Sequence, residues 1–347
     1  MAGLRTYAYL NARLRAKLSK LISAAQYDEL MRAASMEGVF SILQQTEYRD
    51  IFKDVVSAQD LPRVEGALVE RLIGAHREVA AEAKGEVRRF VEELMRKYEV
   101  ENLKTILRAW NANEEGLFIY RERICNEIPV DAILEAKTIE EIIVLLGETP
   151  YRKPLSEARE EYKRTGSLFY LEVALDRVLY EATWRAIEEL SATDRKIAWR
   201  LLGIEIDILN INWILRFKRY YDLRLADVTR LMMPGGLQVK EELVREIYPG
   251  RDAGSLMTAL LTGVYSGLPQ AIEAEKEVEA LHLLEGLLRE TYVQQLRKAL
   301  GGYPFTIGTV IAYLRLKKME VSNIITIVNA KALDVPVEEI ERNVIRV

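Results

Sequence analysis

One pattern narrows the choice of fold more than any other: the chain repeats itself three times. Residues 30–48 (LMRAASMEGVFSILQQTEY) align without gaps on 133–151 (ILEAKTIEEIIVLLGETPY), setting Ala33 on Ala136, Ser35 on Thr138, Glu37 on Glu140, Leu43 on Leu146, Thr46 on Thr149 and Tyr48 on Tyr151. A weaker third copy, 252–265 (DAGSLMTALLTGVY), also ends on a tyrosine, Tyr265. A second marker, an acidic residue three before an asparagine, recurs as Glu99–Asn102, Asp207–Asn210 and Glu320–Asn323, each followed by an apolar run. Between the two comes a hydrophobic-Glu-x-x-Leu signature at Val64-Glu65…Leu68, Leu171-Glu172…Leu175 and Leu284-Glu285…Leu288. Self-similarity at a fixed period marks one supersecondary unit used repeatedly. The repeat limits are 1–115, 116–225 and 226–347, with linkers expected at Asn111–Gly116, Tyr221–Asp227 and the turn-rich Met232–Gly236.

The repeated unit reads as helical. Apolar residues recur at Leu68, Leu72, Val79, Val87, Phe90 and Leu94 with charges on the other faces, a period near 3.6. Only nine prolines interrupt the chain, and no alternating apolar run is bounded by Asn-Gly or Asp-Gly. Ser35, Thr138 and Asp252 are candidate N-caps, each opening a short helix, with Ser35 and Thr138 read as plain caps. The expected fold is all-α, with three similar helical domains. Such units either stack openly, which calls for atypical capping repeats, or close on a three-fold axis. The ends show no polar caps, so a closed, pseudo-three-fold, funnel-shaped arrangement is the expectation.

Composition removes several functions. With 53 acidic against 49 basic residues and a formal charge of −4, the chain lacks the cationic excess that phosphate-backbone binding uses, so no nucleic-acid partner is expected. No stretch reaches the roughly 18 apolar residues of a membrane span. The best candidate, Ile204–Phe217, is broken by Glu205, Asp207, Asn210 and Asn212. Cys125 is the single cysteine, which excludes an internal disulfide and a thiolate zinc cluster; with no recognisable signal peptide, a reducing compartment is expected.

Catalytic parts are scarce. There is no Gly-x-x-x-x-Gly-Lys-[Ser/Thr], no Gly-x-Gly-x-x-Gly after a strand and no Asp-Asp-x-x-Asp. His76 and His282 are the only histidines; Glu279-x-x-His282 has the spacing of a di-iron ligand pair, but that site needs the pair twice and Ile73 stands three before His76. The acidic pairs Glu92-Glu93 and Glu338-Glu339 read as solvated helix faces. No catalytic residue, cofactor or metal site is expected. The asparagines Asn102, Asn210 and Asn323 admit two roles: packing, with the acidic residue three before supporting a helix N-terminus, or lining an axial surface. Arg108 and Arg216 follow six residues after the first two, while Asn329 takes that place in the third copy. These five residues are the candidate interface, the arginines reaching for an acidic group on a partner.

The [Glu/Asp]-x-x-Asn-[Ile/Leu]-x-x-Ile-[Leu/Val]-Arg marker, the opening Tyr7-Ala-Tyr-Leu-Asn-Ala-Arg13-Leu-Arg15 and the ending Pro304-Phe-Thr-Ile-Gly308…Tyr313-Leu…Glu320-Val-Ser-Asn323-Ile together resemble one family. It is the C subunit of archaeal and bacterial A/V-type rotary ATPases, the counterpart of the d subunit of the eukaryotic V-ATPase, and the resemblance runs from about residue 5 to 345. It implies a non-catalytic funnel of three helical domains, peripheral on the cytoplasmic face of the membrane and without insertion. Its partners would be the proteolipid rotor ring and the central axle subunits of D and F type. Asn329 departs from the pattern. The competing expectation is an open α-helical repeat scaffold for protein–protein interaction.

Overall fold

The computed structural model describes residues 2–55, 57–112, 117–221, 223–269 and 277–347. Among these residues the chain is helix, turn and loop with no strand, so the all-α expectation holds. The helices are α1 (Ala2–Leu18), α2 (Ala24–Arg32), α3 (Met36–Leu43), α4 (Arg49–Phe52), α5 (Leu61–Glu82), α6 (Gly85–Ala112), α7 (Val130–Glu135), α8 (Ile139–Leu145), α9 (Arg152–Thr165), α10 (Phe169–Glu188), α11 (Ala192–Arg216), α12 (Leu225–Leu231), α13 (Glu241–Ile247), α14 (Ala253–Leu260), α15 (Glu277–Gly301), α16 (Ile307–Ala332) and α17 (Val337–Asn343). The chain divides into two compact units, one formed by 49–190 and the other by 1–48 together with 191–347.

The short helices begin where the sequence places them. Ser35, Thr138 and Asp252 accept the N–H of Gly38, Glu141 and Ser255 in turn, which satisfies one otherwise orphaned donor at each helix start. The reading of Thr138 as a plain cap overlooked Glu141, which reaches back to the Lys137 N–H at 2.8 Å. Ser23 forms a full capping box with Gln26 at the start of α2. The expected Tyr221–Asp227 linker is shorter, because α12 already begins at Leu225. In the first linker, 113–116 lie outside the described residues.

In the 49–190 unit, one stripe of α6 (Val100, Leu103, Ile106, Leu107) is buried against Ile133 and Ile142 of α7 and α8 and against Leu171, Leu175 and Leu179 of α10. Each such side chain contributes roughly 1.5–3 kcal/mol on leaving water. Within this interior Lys104 of α6 meets Asp176 of α10 at 2.5 Å, both side chains over 90% buried. In the other unit α16 is the central rod, buried almost continuously from Ile307 to Lys317 and packed by α1, α3, α11, α15 and α17. A second internal ion pair, Arg315–Glu205 at 2.9 Å, ties α16 to α11. The two chain ends meet in this unit, where Arg346 binds Asp28 at 2.6 Å.

Candidate functional site

The two repeated markers, distant in sequence, bond to each other. On α6, Glu99 accepts the Tyr151 hydroxyl at 2.6 Å and the backbone N–H groups of Cys125 and Asn126 at 2.7 and 2.6 Å. On α11, Asp207 accepts the Tyr265 hydroxyl at 3.1 Å and the N–H groups of Gln238 and Val239, each at 2.9 Å. On α16, Glu320 accepts the Tyr48 hydroxyl at 2.6 Å and the Ile22 N–H at 2.5 Å. The tyrosines are the last residues of the three aligned blocks, and all three are fully buried. Each joint is a carboxylate–tyrosine bond that fastens a short-helix block to a long helix.

One turn further along each helix, the asparagine repeats the device with its amide. Asn102 donates to the Tyr120 carbonyl and accepts its N–H, both at 2.8 Å. Asn210 does the same with Met233 at 2.8 and 2.9 Å, and Asn323 with Ile345 at 2.7 and 3.3 Å. A primary amide matches one peptide group donor to acceptor, so each asparagine acts as a strand of backbone would. This satisfies backbone groups of irregular segments that no helix ladder can reach. Asn210 and Asn323 are buried and Asn102 half-buried, so the packing role is the one their geometry fills.

Burial sets the ionisation of these groups. The hydroxyls of Tyr48, Tyr151 and Tyr265 are pushed far above the ordinary tyrosine range, first by desolvation and then by the carboxylate each one faces. They remain donors at any physiological pH. Asp207 is raised above its usual value because desolvation outweighs the N–H groups of Val239 and Gln238 and the Tyr265 hydroxyl. The Cys125 thiol is pushed up to about 12 by burial and by Glu99, which leaves it protonated and unreactive.

The arginines are held by the third marker. Arg108 binds Glu172 at 2.7 Å and Arg216 binds Glu285 at 2.5 Å, in both cases the glutamate of the hydrophobic-Glu-x-x-Leu signature in the following repeat. Both guanidinium side chains stay more than half exposed while their glutamates are about 20% exposed. The sequence singled out the arginines and the glutamates separately but not their pairing, nor that the repeated tyrosine is the partner of the repeated acid. The similar spacing of the three markers was the available signal for both.

His76 is buried, its Nδ1 2.9 Å from the Leu72 carbonyl and its ring edge-on to Tyr98. His282 is exposed, and the Glu279 side chain lies outside the described residues. Among the described residues no group of three His, Cys, Asp or Glu side chains could hold a metal ion. Within the same residues no helix is long and apolar enough to cross a membrane.

Fold and site together define a class: an all-α repeat protein whose buried polar groups fasten one segment of its own chain to another. Within that class the chain belongs to the ATP synthase (C/AC39) subunit family, whose profile it matches over residues 10–343. It is similar to the C subunit of the A-type ATP synthase of Methanosphaera stadtmanae, 26% identical over 96% of this chain and 86% of that one. The corresponding A-type ATP synthase chain of Methanocaldococcus jannaschii is 25% identical over 97% and 86%, and that of Thermococcus gammatolerans 28% identical over 92% and 84%.

Proposed function

We propose that this chain is a non-catalytic central-stalk subunit of a proton- or sodium-translocating A/V-type rotary ATPase or ATP synthase. It couples the membrane rotor ring of proteolipid subunits to the central axle of D- and F-type subunits and transmits torque between them. It sits peripherally on the cytoplasmic face, without entering the bilayer. The observation that carries this reading is the family match across nearly the whole chain.

The pairing order of the joints supports a closed set of three domains, 1–115, 116–225 and 226–347. The block of repeat two bonds to the asparagine helix of repeat one, through Tyr151 and Glu99. That of repeat three bonds to repeat two, through Tyr265 and Asp207. The block of repeat one bonds back to repeat three, through Tyr48 and Glu320. An open scaffold would leave the first block and the last helix without such partners, so this order argues against it. Torque transmission needs stiffness, and each buried joint resists the sliding of a block along its helix.

Arg108 and Arg216 are the candidate contacts for acidic groups of the axle, while Asn102, Asn210 and Asn323 serve that surface by fixing the backbone behind it. The test is binding of the tagged full-length chain to purified axle subunits and, separately, to detergent-solubilised proteolipid ring. Binding to both is expected and binding to neither contradicts the proposal. Arg216→Glu should weaken axle binding by about tenfold or more with an unchanged melting temperature, since an exposed pair adds about 1 kcal/mol or less to the fold. Unaltered affinity after charge reversal at both arginines would remove them from the interface.

A further inference from the structure

The three joints are built alike except in one respect. Three residues before the carboxylate, one helical turn earlier on the same face, stand Arg96 before Glu99, Lys317 before Glu320 and Ile204 before Asp207. Lys317 Nζ lies 2.9 Å from Glu320 and 2.6 Å from the Tyr48 hydroxyl, and it also binds Glu47. The Arg96 guanidinium, bidentate on Glu93 at 2.7 Å, lies against the Tyr151 hydroxyl. The third joint is therefore a triad of tyrosine, carboxylate and cation, and in the first a cation stands at the tyrosine hydroxyl while its guanidinium is paired with Glu93. The middle one is a dyad. Ile204 is fully buried there, and among the described residues no cation pairs with Asp207. Glu205 of α11 and Arg315 of α16 pair with one another.

The middle joint also carries the shortest acid and the most permissive backbone. Aspartate is one methylene shorter than glutamate, so the loop must come in to meet it. It does so at Gly236, where a Cβ would lie 2.5 Å from Asp207 Oδ1 and 2.7 Å from the Val239 carbonyl. Gly235 beside it adopts φ +96°, a conformation only glycine takes without strain. Gly203 leaves room for the same loop, with a virtual Cβ 3.2 Å from the Leu237 nitrogen. A buried carboxylate held by neutral donors alone recovers less of its desolvation than one that also faces a cation. Segments held by few compensated interactions open first under native conditions.

We propose that the middle joint is the release point built into this fold: residues 232–239 leave Asp207 and Asn210, and with them Tyr265, before either of the other joints opens. The inference goes beyond the stalk assignment and stands on the internal geometry of the three joints, so its failure leaves that assignment untouched. The test is native-state amide hydrogen exchange on the full chain at pH 7. The N–H groups that meet the three carboxylates are direct reporters: Gln238 and Val239 for the middle joint, Cys125 and Asn126 for the first, Ile22 for the third. After correction for intrinsic rates, Gln238 and Val239 should exchange about tenfold or more faster than the other three. Equal or greater protection at Gln238 and Val239 overturns the proposal. Lys317→Met should then bring the Ile22 rate up towards that of the middle joint, and Ile204→Lys should slow Gln238 and Val239 without changing Cys125. Should Ile204→Lys fail to fold, the wild-type comparison and Lys317→Met still decide. An unchanged Ile22 rate in Lys317→Met would show that the cation is not what separates the joints.

Discussion

At the scale of single residues, the account turns on polar groups that are buried because they are matched. Asn210 is the fullest case, completely buried with both ends of its amide on the Met233 peptide group. Asn210→Ala strands a buried N–H and a buried carbonyl, and should lower unfolding stability by about 2 kcal/mol in denaturant titration. Asn102→Ala, at a half-buried site open to water, should cost about 1 kcal/mol. Asp207 makes a prediction with a sign. Its folded value lies above the ordinary 3.8 because desolvation dominates, so the native state holds its proton more tightly than the unfolded chain does. Its contribution to stability is therefore most favourable in acid, declines as pH rises from about 3.8 through the raised folded value, and is flat above it. Tyr265 faces the group directly, donating its hydroxyl to the carboxylate. A melting-temperature series against pH for wild type and Asp207→Asn checks this: wild type should lose ground to the variant as pH rises through that window. A gain over the same window contradicts it.

At the scale of elements, the sequence was most readable where the physics is local. The caps Ser35, Thr138 and Asp252 were found because a side-chain oxygen must sit within one turn of the N–H it accepts. The long helices were found because one apolar face repeats every turn. Contacts between elements were less readable. Tyr48 and Glu320 are 272 positions apart, and nothing local announces that a block docks on the helix of another repeat. The arginines show the same limit: Arg108 and Arg216 each meet a glutamate of the following repeat, 64 and 69 positions away, that no local signal announces. Pairing within the α6–α10 interface carries its own test. Lys104→Met leaves Asp176 charged and buried without its partner and should destabilise by about 3–5 kcal/mol, whereas Lys104→Met with Asp176→Leu should recover most of that loss. Denaturant midpoints of the two variants decide, and equal losses in both would mean that packing, not charge, governs this contact.

At the scale of the whole molecule, residues 49–190 enclose their own core and their own joint, Glu99 with Tyr151. Expressed alone, this stretch should fold cooperatively with a helical circular dichroism spectrum; a spectrum without helix contradicts its independence. Residues 1–48 and 191–347, by contrast, need each other, since Glu320 has its tyrosine only if the N-terminal block is present. The central claim is coupling, and it is measured most directly as ATP-driven ion uptake in vesicles carrying the rest of the rotary complex but lacking this chain. Uptake should be absent without the chain while ATP hydrolysis by the catalytic subunits persists, and adding the purified chain should restore it. Full uptake in the chain's absence, or none after its addition to otherwise competent vesicles, would contradict the coupling role.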